Sequence, residues 1–219
     1  MQNHEQWQHE VEQFGPKDIA TLISHDLRSP LQVAHARIEL ARGTGDMEHL
    51  EAAETAIMRV EQLLEDLTTF AQEDELLEDV RSIELETVAR LSWETVATKS
   101  ATLTVESSQP IRADVNRFQR LLENLLRNCV MHGGEAVNVR VGMLPDADGF
   151  YVADDGCGID SSKEEHIFEP KYSTEPEGTG YGLAIVQRIA EAHDWSIAVT
   201  SSRDGGARFE ISGVDVAEQ

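Results

Sequence analysis

From Leu50 to Ala71 the chain carries the pattern that most restricts how it folds. Leu50, Ala53, Ile57, Val60, Leu64, Leu67 and Ala71 recur in alternating steps of three and four, the a/d stripe of a coiled-coil helix. Such a stripe needs a second apolar helix, and the preceding segment offers one. Ile19, Ile23, Leu27, Leu31, Ala34, Ile38 and Ala41 also recur at helical spacing, and Pro16 with Asp18 can open that helix. Gly43-Thr44-Gly45-Asp46 breaks it, with Thr44 or Asp46 able to cap the next. Residues 17–72 therefore read as a helical hairpin. Two helices alone make a thin core, so two hairpins pairing as a four-helix bundle would bury both stripes. A homodimer is the expectation.

An acidic linker, QEDELLEDV, follows at residues 72–80, and beyond it the pattern becomes mixed. The spacing predicts a helix over Leu85 to Ala97 and a strand over Ala101 to Glu106. Asp114 reads as the N-cap of a helix reaching about Met131. Strands are predicted over Val137 to Met143 and Gly149 to Ala153, then a loop over Gly156 to Gly178 and a helix over Tyr181 to Ala192. Two closing strands, Ser196 to Ser201 and Ala207 to Ile211, are joined by a turn at Asp204-Gly205-Gly206. The fold class is α+β. It divides as an N-terminal segment 1–16, the hairpin 17–72, a linker 73–80, a mixed domain 81–214 and a tail 215–219.

Charge narrows the partners. The 219 residues include 41 Asp plus Glu against 18 Lys plus Arg, a formal charge of −23. Nucleic acid is not expected as a partner, because phosphate binding needs a basic face. The acidity reads as a solvated surface adapted to high salt, where ions screen self-repulsion. No apolar run approaches the ~20 residues of a membrane span. The first residues lack the apolar core of a signal peptide, so the expected location is cytoplasmic. Cys129 and Cys157 form no CxxC pair and read as free thiols in a reducing compartment.

Four clusters carry chemistry. His25 lies on the helix face opposite the stripe at ~100° per residue, beside Asp26, with Pro30 in mid-helix. A carboxylate can hold one ring nitrogen protonated and free the other to attack; a plain surface histidine fits equally well. In LLENLLRNCVMHGG, Asn124 and Asn128 share one helix face. Two carboxamides there suit phosphates and a hydrated Mg2+, or are simply helix-surface asparagines. ADDGCGID follows a strand, so Asp154 could accept from an exocyclic amine such as that of adenine. In EGTGYGLAIV, glycines run into a helix start, where backbone N–H groups bind anions. Neither loop is a P-loop.

In combination and order these clusters resemble the histidine kinase family. HDLRSPL is similar to its phosphoacceptor box, LLENLLRN to its N box, DDGCGI to its first glycine box, IFEPKYST to its lid segment and GTGYGLAIV to its second glycine box. The resemblance covers the chain from about residue 18 onward. Together with the acidity, it is similar to kinases of salt-loving archaea. It implies a dimerisation hairpin followed by an ATP-binding α/β sandwich. It implies that His25 accepts phosphoryl, with Asp26 polarising its ring. Asn128 would hold Mg2+, Asn124 would support the phosphates, and Asp154 would bind the adenine amine. Gly156, Gly158, Gly180 and Gly182 would shape the pocket, and residues 160–178 would form a lid. Nucleotide contacts also fall to His132, Ile159, Tyr172, Ser173, Thr174, Gly178, Thr179, Tyr181 and Leu183. The implied partners are a second copy, a response regulator receiver domain and an upstream sensor domain or protein.

The chain departs from that pattern in places. Met131 stands where Lys or Arg often holds phosphate. His132 follows at an often aromatic position and offers a donor instead. Ser29 replaces the usual Thr or Asn that helps dephosphorylate the partner. Cys157 replaces a common Pro and Cys129 a common Ala. His4, His9, His35, His49, His166 and His193 read as surface residues. Two other readings remain on sequence alone: a catalytically degenerate dimeric scaffold, which Met131 favours, and an ATP-hydrolysing enzyme of the same nucleotide fold. The second needs a glutamate base four residues before the metal-binding Asn, where this chain has Asn124.

Overall fold

A computed structural model describes residues 16–72, 77–96, 100–134, 136–145, 148–173 and 178–216. The chain divides into two compact units between Thr68 and Thr69.

The first unit is the helical hairpin of α1 (Pro16–Thr44) and α2 (Glu48–Gln72). Pro30 lies inside α1 and is buried. At the turn, Thr44 Oγ1 accepts from Asp46 N–H at 3.2 Å. Asp46 Oδ1 accepts from Glu48 N–H at 3.0 Å, which caps α2. Glu48 and Glu51 complement the positive end of the α2 dipole. The hairpin buries Ala34 and Ala41 of α1 with Ala53, Ala56, Leu63 and Leu67 of α2. Of these, Ala56 and Leu63 lie outside the expected stripes. Leu31, Ile57 and Leu64 of those stripes are 50%, 42% and 45% exposed within the single hairpin, the surface that the expected pairing of two hairpins would have to bury. Val33, Leu40 and Met58 extend the exposed apolar surface.

The second unit contains β1 (Val80–Glu84), α3 (Leu85–Thr95), β2 (Thr102–Val105), β3 (Pro110–Asp114), α4 (Val115–Gly133), β4 (Asn138–Met143), β5 (Gly149–Ala153), α5 (Gly182–Ala192), β6 (Ser196–Ser201) and β7 (Ala207–Ser212). Five strands form one sheet in the order β2-β4-β5-β7-β6. β2 and β4 run parallel and the other neighbours antiparallel. β1 and β3 pair antiparallel as a separate ribbon. Neither ribbon strand is foreseen by the sequence pattern, because VRSIE and PIRAD are short and polar. Pairing with each other makes them strands, with Ile111 and Ala113 fully buried.

Strand alternation decides which sheet face is covered. Phe150, Val152, Phe209 and Ile211 are buried in register with the apolar residues of the helices. Those are Leu85 and Val88 of α3, Phe118, Leu122 and Leu125 of α4, and Ile185 and Ile189 of α5. Phe118, Phe150 and Trp195 meet edge to face at 5.5–6.2 Å. The alternate positions carry Arg140, Tyr151, Arg208 and Glu210, with the Arg208 guanidinium 3.7 Å from the Tyr151 ring centre. The result is a helix layer on a mixed sheet, as the α+β reading expects. Among the described residues, no helix is long and apolar enough to cross a membrane.

Candidate nucleotide-binding site

Helix α4 is the wall against which the site is built, and Asp114 anchors it. Asp114 Oδ1 accepts from the N–H groups of Asn116 and Arg117 at 3.1 and 3.2 Å. Its Oδ2 accepts from those of Glu78 and Asp79 at 3.0 and 3.1 Å. Burial alone would raise its pKa, but the N–H donors from Asp79, Arg117 and Glu78 hold it below the ordinary value. His193 belongs to this anchor. Read as a surface residue, it is half-buried, and its Nε2 accepts from Asp114 N–H at 3.0 Å. Its burial comes from β3, which is distant in sequence.

Asn124 and Asn128 share the helix face that their spacing predicts. Asn124 is 5% exposed, and its Nδ2 donates to Arg120 O at 2.9 Å. Asn128 Nδ2 is buried without a hydrogen-bond partner, a costly state that a polar ligand would relieve. Both carboxamides face Gly182. A Cβ there would lie 3.1 Å from Asn124 Oδ1 and 3.9 Å from Asn128 Nδ2. Gly182 opens α5, which has no side-chain cap, so its first N–H groups are suited to anions.

The segment before α5 is closed on itself. Lys171 N–H donates to Gly180 O at 2.9 Å, and a Cβ on Gly180 would come 2.6 Å from Lys171 C. Gly180 has φ 77°, and Lys171 has φ 70° although it is not glycine. Tyr181 is buried. Ile159, Tyr172, Gly178, Thr179 and Leu183 are half-buried, while Ser173 and His132 are exposed. Thr174 lies outside the described residues.

Asp154 ends β5 and is 5% exposed. Its Oδ1 accepts from Gly156 N–H at 2.9 Å and Ala207 N–H at 3.1 Å. A side chain at Gly156 would meet Gly133 Cα at 2.5 Å, so loop and helix end pack backbone to backbone. Gly158 has φ 72°. The Cys129 thiol is buried beside Asp154, and its pKa is pushed well up by burial and by the Asp154 carboxylate. Cys129, Ser202, Gly206 and Ala207 are absent from the sequence-predicted site. Ser202, Gly206 and Ala207 reach Asp154 through the β5–β7 pairing and Cys129 reaches it from α4, contacts that leave no local signal. Asp155 is clamped as well, accepting from Asn138 N–H and Nδ2 at 2.7 and 2.6 Å.

Among the described residues no three His, Cys, Asp or Glu side chains cluster as metal ligands. A magnesium ion here would rest on the Asn128 carboxamide, phosphate oxygens and water, a donor set that suits a hydrated hard cation. The carboxamide oxygen of Asn128 is the atom that could serve such an ion, while its buried, unpartnered Nδ2 suits an acceptor such as a phosphate oxygen. Met131 is 39% exposed and supplies no charge. His25 and Asp26 lie in α1, in the other unit. The orientation expected for the His25 side chain lies outside the described residues.

Residues 113–217 match the family model described as histidine kinase-, DNA gyrase B- and HSP90-like ATPase. The chain is 30% identical over 209 residues to the sensor protein RstB of Escherichia coli (strain K12), covering 90% of this chain and 48% of that protein. It is also 30% identical over 210 residues to the sensor histidine kinase CpxA of the same strain, covering 86% and 45%. It thus spans about half the length of these curated relatives. A structure of full-length ShkA in complex with AMPPNP is 25% identical, with a TM-score of 0.64, covering 94% of this chain and 47% of that one. The glycine-rich loops and these matches, which extend across the hairpin as well, point one way: the second unit is an ATPase domain of the histidine kinase-, DNA gyrase B- and HSP90-like type, and the chain as a whole is similar to sensor histidine kinases.

Proposed function

We propose that this chain is a kinase core that binds Mg-ATP, phosphorylates its own His25 and passes the phosphoryl group to an aspartate of a response regulator receiver domain. The observation that carries this reading is the buried, unpartnered Asn128 amide facing the uncapped head of α5. Asp154, at the end of β5 beside Cys129 of α4, would receive the adenine amine.

Phosphoryl transfer asks a protein mainly for position and charge. Backbone donors on Oδ1 aim the Asp154 carboxylate, and the Cys129 thiol bonds to the same group. The first N–H groups of α5 hold phosphate oxygens. Magnesium, when bound at Asn128, neutralises charge on the triphosphate. A ring nitrogen of His25 forms the bond to the γ-phosphorus, the bond to the bridging oxygen breaks, and ADP carries that oxygen away. Asp26 holds the other ring nitrogen protonated. The exposed stripe residues Leu31, Ile57 and Leu64 support a homodimer through a four-helix bundle. An upstream sensor domain or protein would set the activity.

A simple ATPase is disfavoured by Glu123. Its carboxylate accepts from Thr95 Oγ1 at 3.2 Å and Gln119 Nε2 at 2.9 Å, engaged with α3 rather than with the Asn124–Asn128 face. Incubation with γ-labelled ATP and Mg2+ tests the proposal. The product should be acid-labile and alkali-stable, and it should be missing from His25→Gln and Asn128→Ala. Labelling of His25→Gln at the wild-type level would sink the assignment.

A further inference from the structure

The β6–β7 turn, legible in sequence only as a chain reversal, is bonded directly to Asp154. Ser202 is 7% exposed. Its hydroxyl donates to Asp154 O at 2.6 Å and accepts from Gly206 N–H at 3.2 Å and Asp204 N–H at 3.3 Å. One donor and two acceptor positions are therefore all used. The turn is packed as tightly as it is bonded. A Cβ on Gly206 would collide with Asp154 Oδ1, and one on Gly158 would lie 2.9 Å from Gly205 O. The solvent side of the turn is held by charge. Arg140, with its side chain 10% exposed, pairs with Asp204. Arg203 reaches Glu106 at 2.7 Å and Asp204 at 3.5 Å.

We propose that Ser202 is a positioning residue for adenine recognition, acting through Asp154. The proposal rests on the reading of Asp154 as the acceptor of the adenine amine. Asp154 is fixed from three sides: its N–H donates to Ala207 O at 2.9 Å, its Oδ1 takes two N–H groups, and its carbonyl takes the Ser202 hydroxyl. Removing that hydroxyl leaves a buried carbonyl unsatisfied and frees Gly206 N–H. The turn then loses its hold on Ala207, whose N–H helps to aim the carboxylate. A loosened carboxylate matters most to a base that donates to it. Adenine presents an amine at that edge, whereas hypoxanthine presents a carbonyl oxygen, which no carboxylate can bond. Ser202 thus acts on the preference for ATP over ITP rather than on triphosphate binding in general.

Calorimetric titration of the full chain with ATP and with ITP, each with Mg2+, tests this. Ser202→Ala should weaken ATP binding roughly 3- to 10-fold while ITP binding changes less than about two-fold. In an Asp154→Ala background, Ser202→Ala should add nothing, because the two act as one unit. Ser92→Ala is the matched control. It deletes another fully buried hydroxyl, one that donates to Gln119 O at 3.2 Å, so it costs stability away from Asp154 and should keep the ATP-to-ITP ratio. Equal losses for ATP and ITP, additivity with Asp154→Ala, or the same ratio change in Ser92→Ala would each overturn the inference. A wild-type chain with no preference for ATP over ITP would instead remove the Asp154 reading, and the inference with it.

Discussion

Single side chains in this fold join segments that are far apart in sequence, and His193 shows how. Asp114 N–H can only donate, so Nε2 must be the acceptor. The ring proton then sits on Nδ1 and donates to Ile189 O at 2.7 Å. Burial lowers the His193 pKa more than the Ile189 carbonyl and the Asp114 charge raise it, and Arg117 adds to the lowering. The unfolded chain therefore binds this proton more readily. His193 contributes its full stability above the ordinary imidazole value of 6.5 and loses it as pH falls through the lower folded value. The urea midpoint should drop between pH 7.5 and pH 5, and His193→Gln should flatten that drop. Lys171 offers a second prediction. A left-handed backbone costs an L-residue about 1–2 kcal/mol, partly offset by the entropy that glycine loses. Lys171→Gly should then raise stability by about 0.5–1 kcal/mol in denaturant melts; a fall would show that the side chain outweighs the strain.

Elements depend on their ends and faces. The Asp114 carboxylate caps α4 and ties down the chain at Glu78 and Asp79. Asp114→Ala should cost about 2–3 kcal/mol, a cap plus charged hydrogen bonds, read as a lower urea midpoint. In the hairpin, Leu63 and Leu64 are neighbours with opposite surroundings, 4% and 45% exposed. Leu63→Asp should unfold the hairpin, because the charge must desolvate inside it. Leu64→Asp should leave the helices intact by circular dichroism and yield monomers in sedimentation. A monomeric wild type at micromolar concentration would contradict the four-helix pairing. The apolar spacing made the hairpin legible. It did not separate these two faces, since adjacent residues point ~100° apart and periodicity alone does not say which partner helix covers which side.

At the scale of the whole molecule, charge dominates. A formal −23 on 219 residues repels across the surface when the Debye length is about 30 Å, near 0.01 M salt, and only between close neighbours when it is about 3 Å, near 1 M. Exclusion of some salts also strengthens apolar burial. The melting temperature should rise steeply from 0.1 M to multi-molar KCl. A flat or falling curve would rule out adaptation to high salt without touching the kinase assignment.

Two kinds of information separate cleanly in this protein. Periodicity, caps and glycine-rich boxes are local, so the chain alone determined the hairpin, the Asp114 cap, the Asn124–Asn128 face and the glycine loops around Asp154. A hydrogen bond between distant strands has no local period. Only the tertiary structure decided that β1 and β3 are strands, that His193 is half-buried under the N-terminus of α4, and that Ser202 reaches Asp154. Each depends on a partner 26 or more residues away, held there by the packed sheet and helices rather than by the neighbouring sequence.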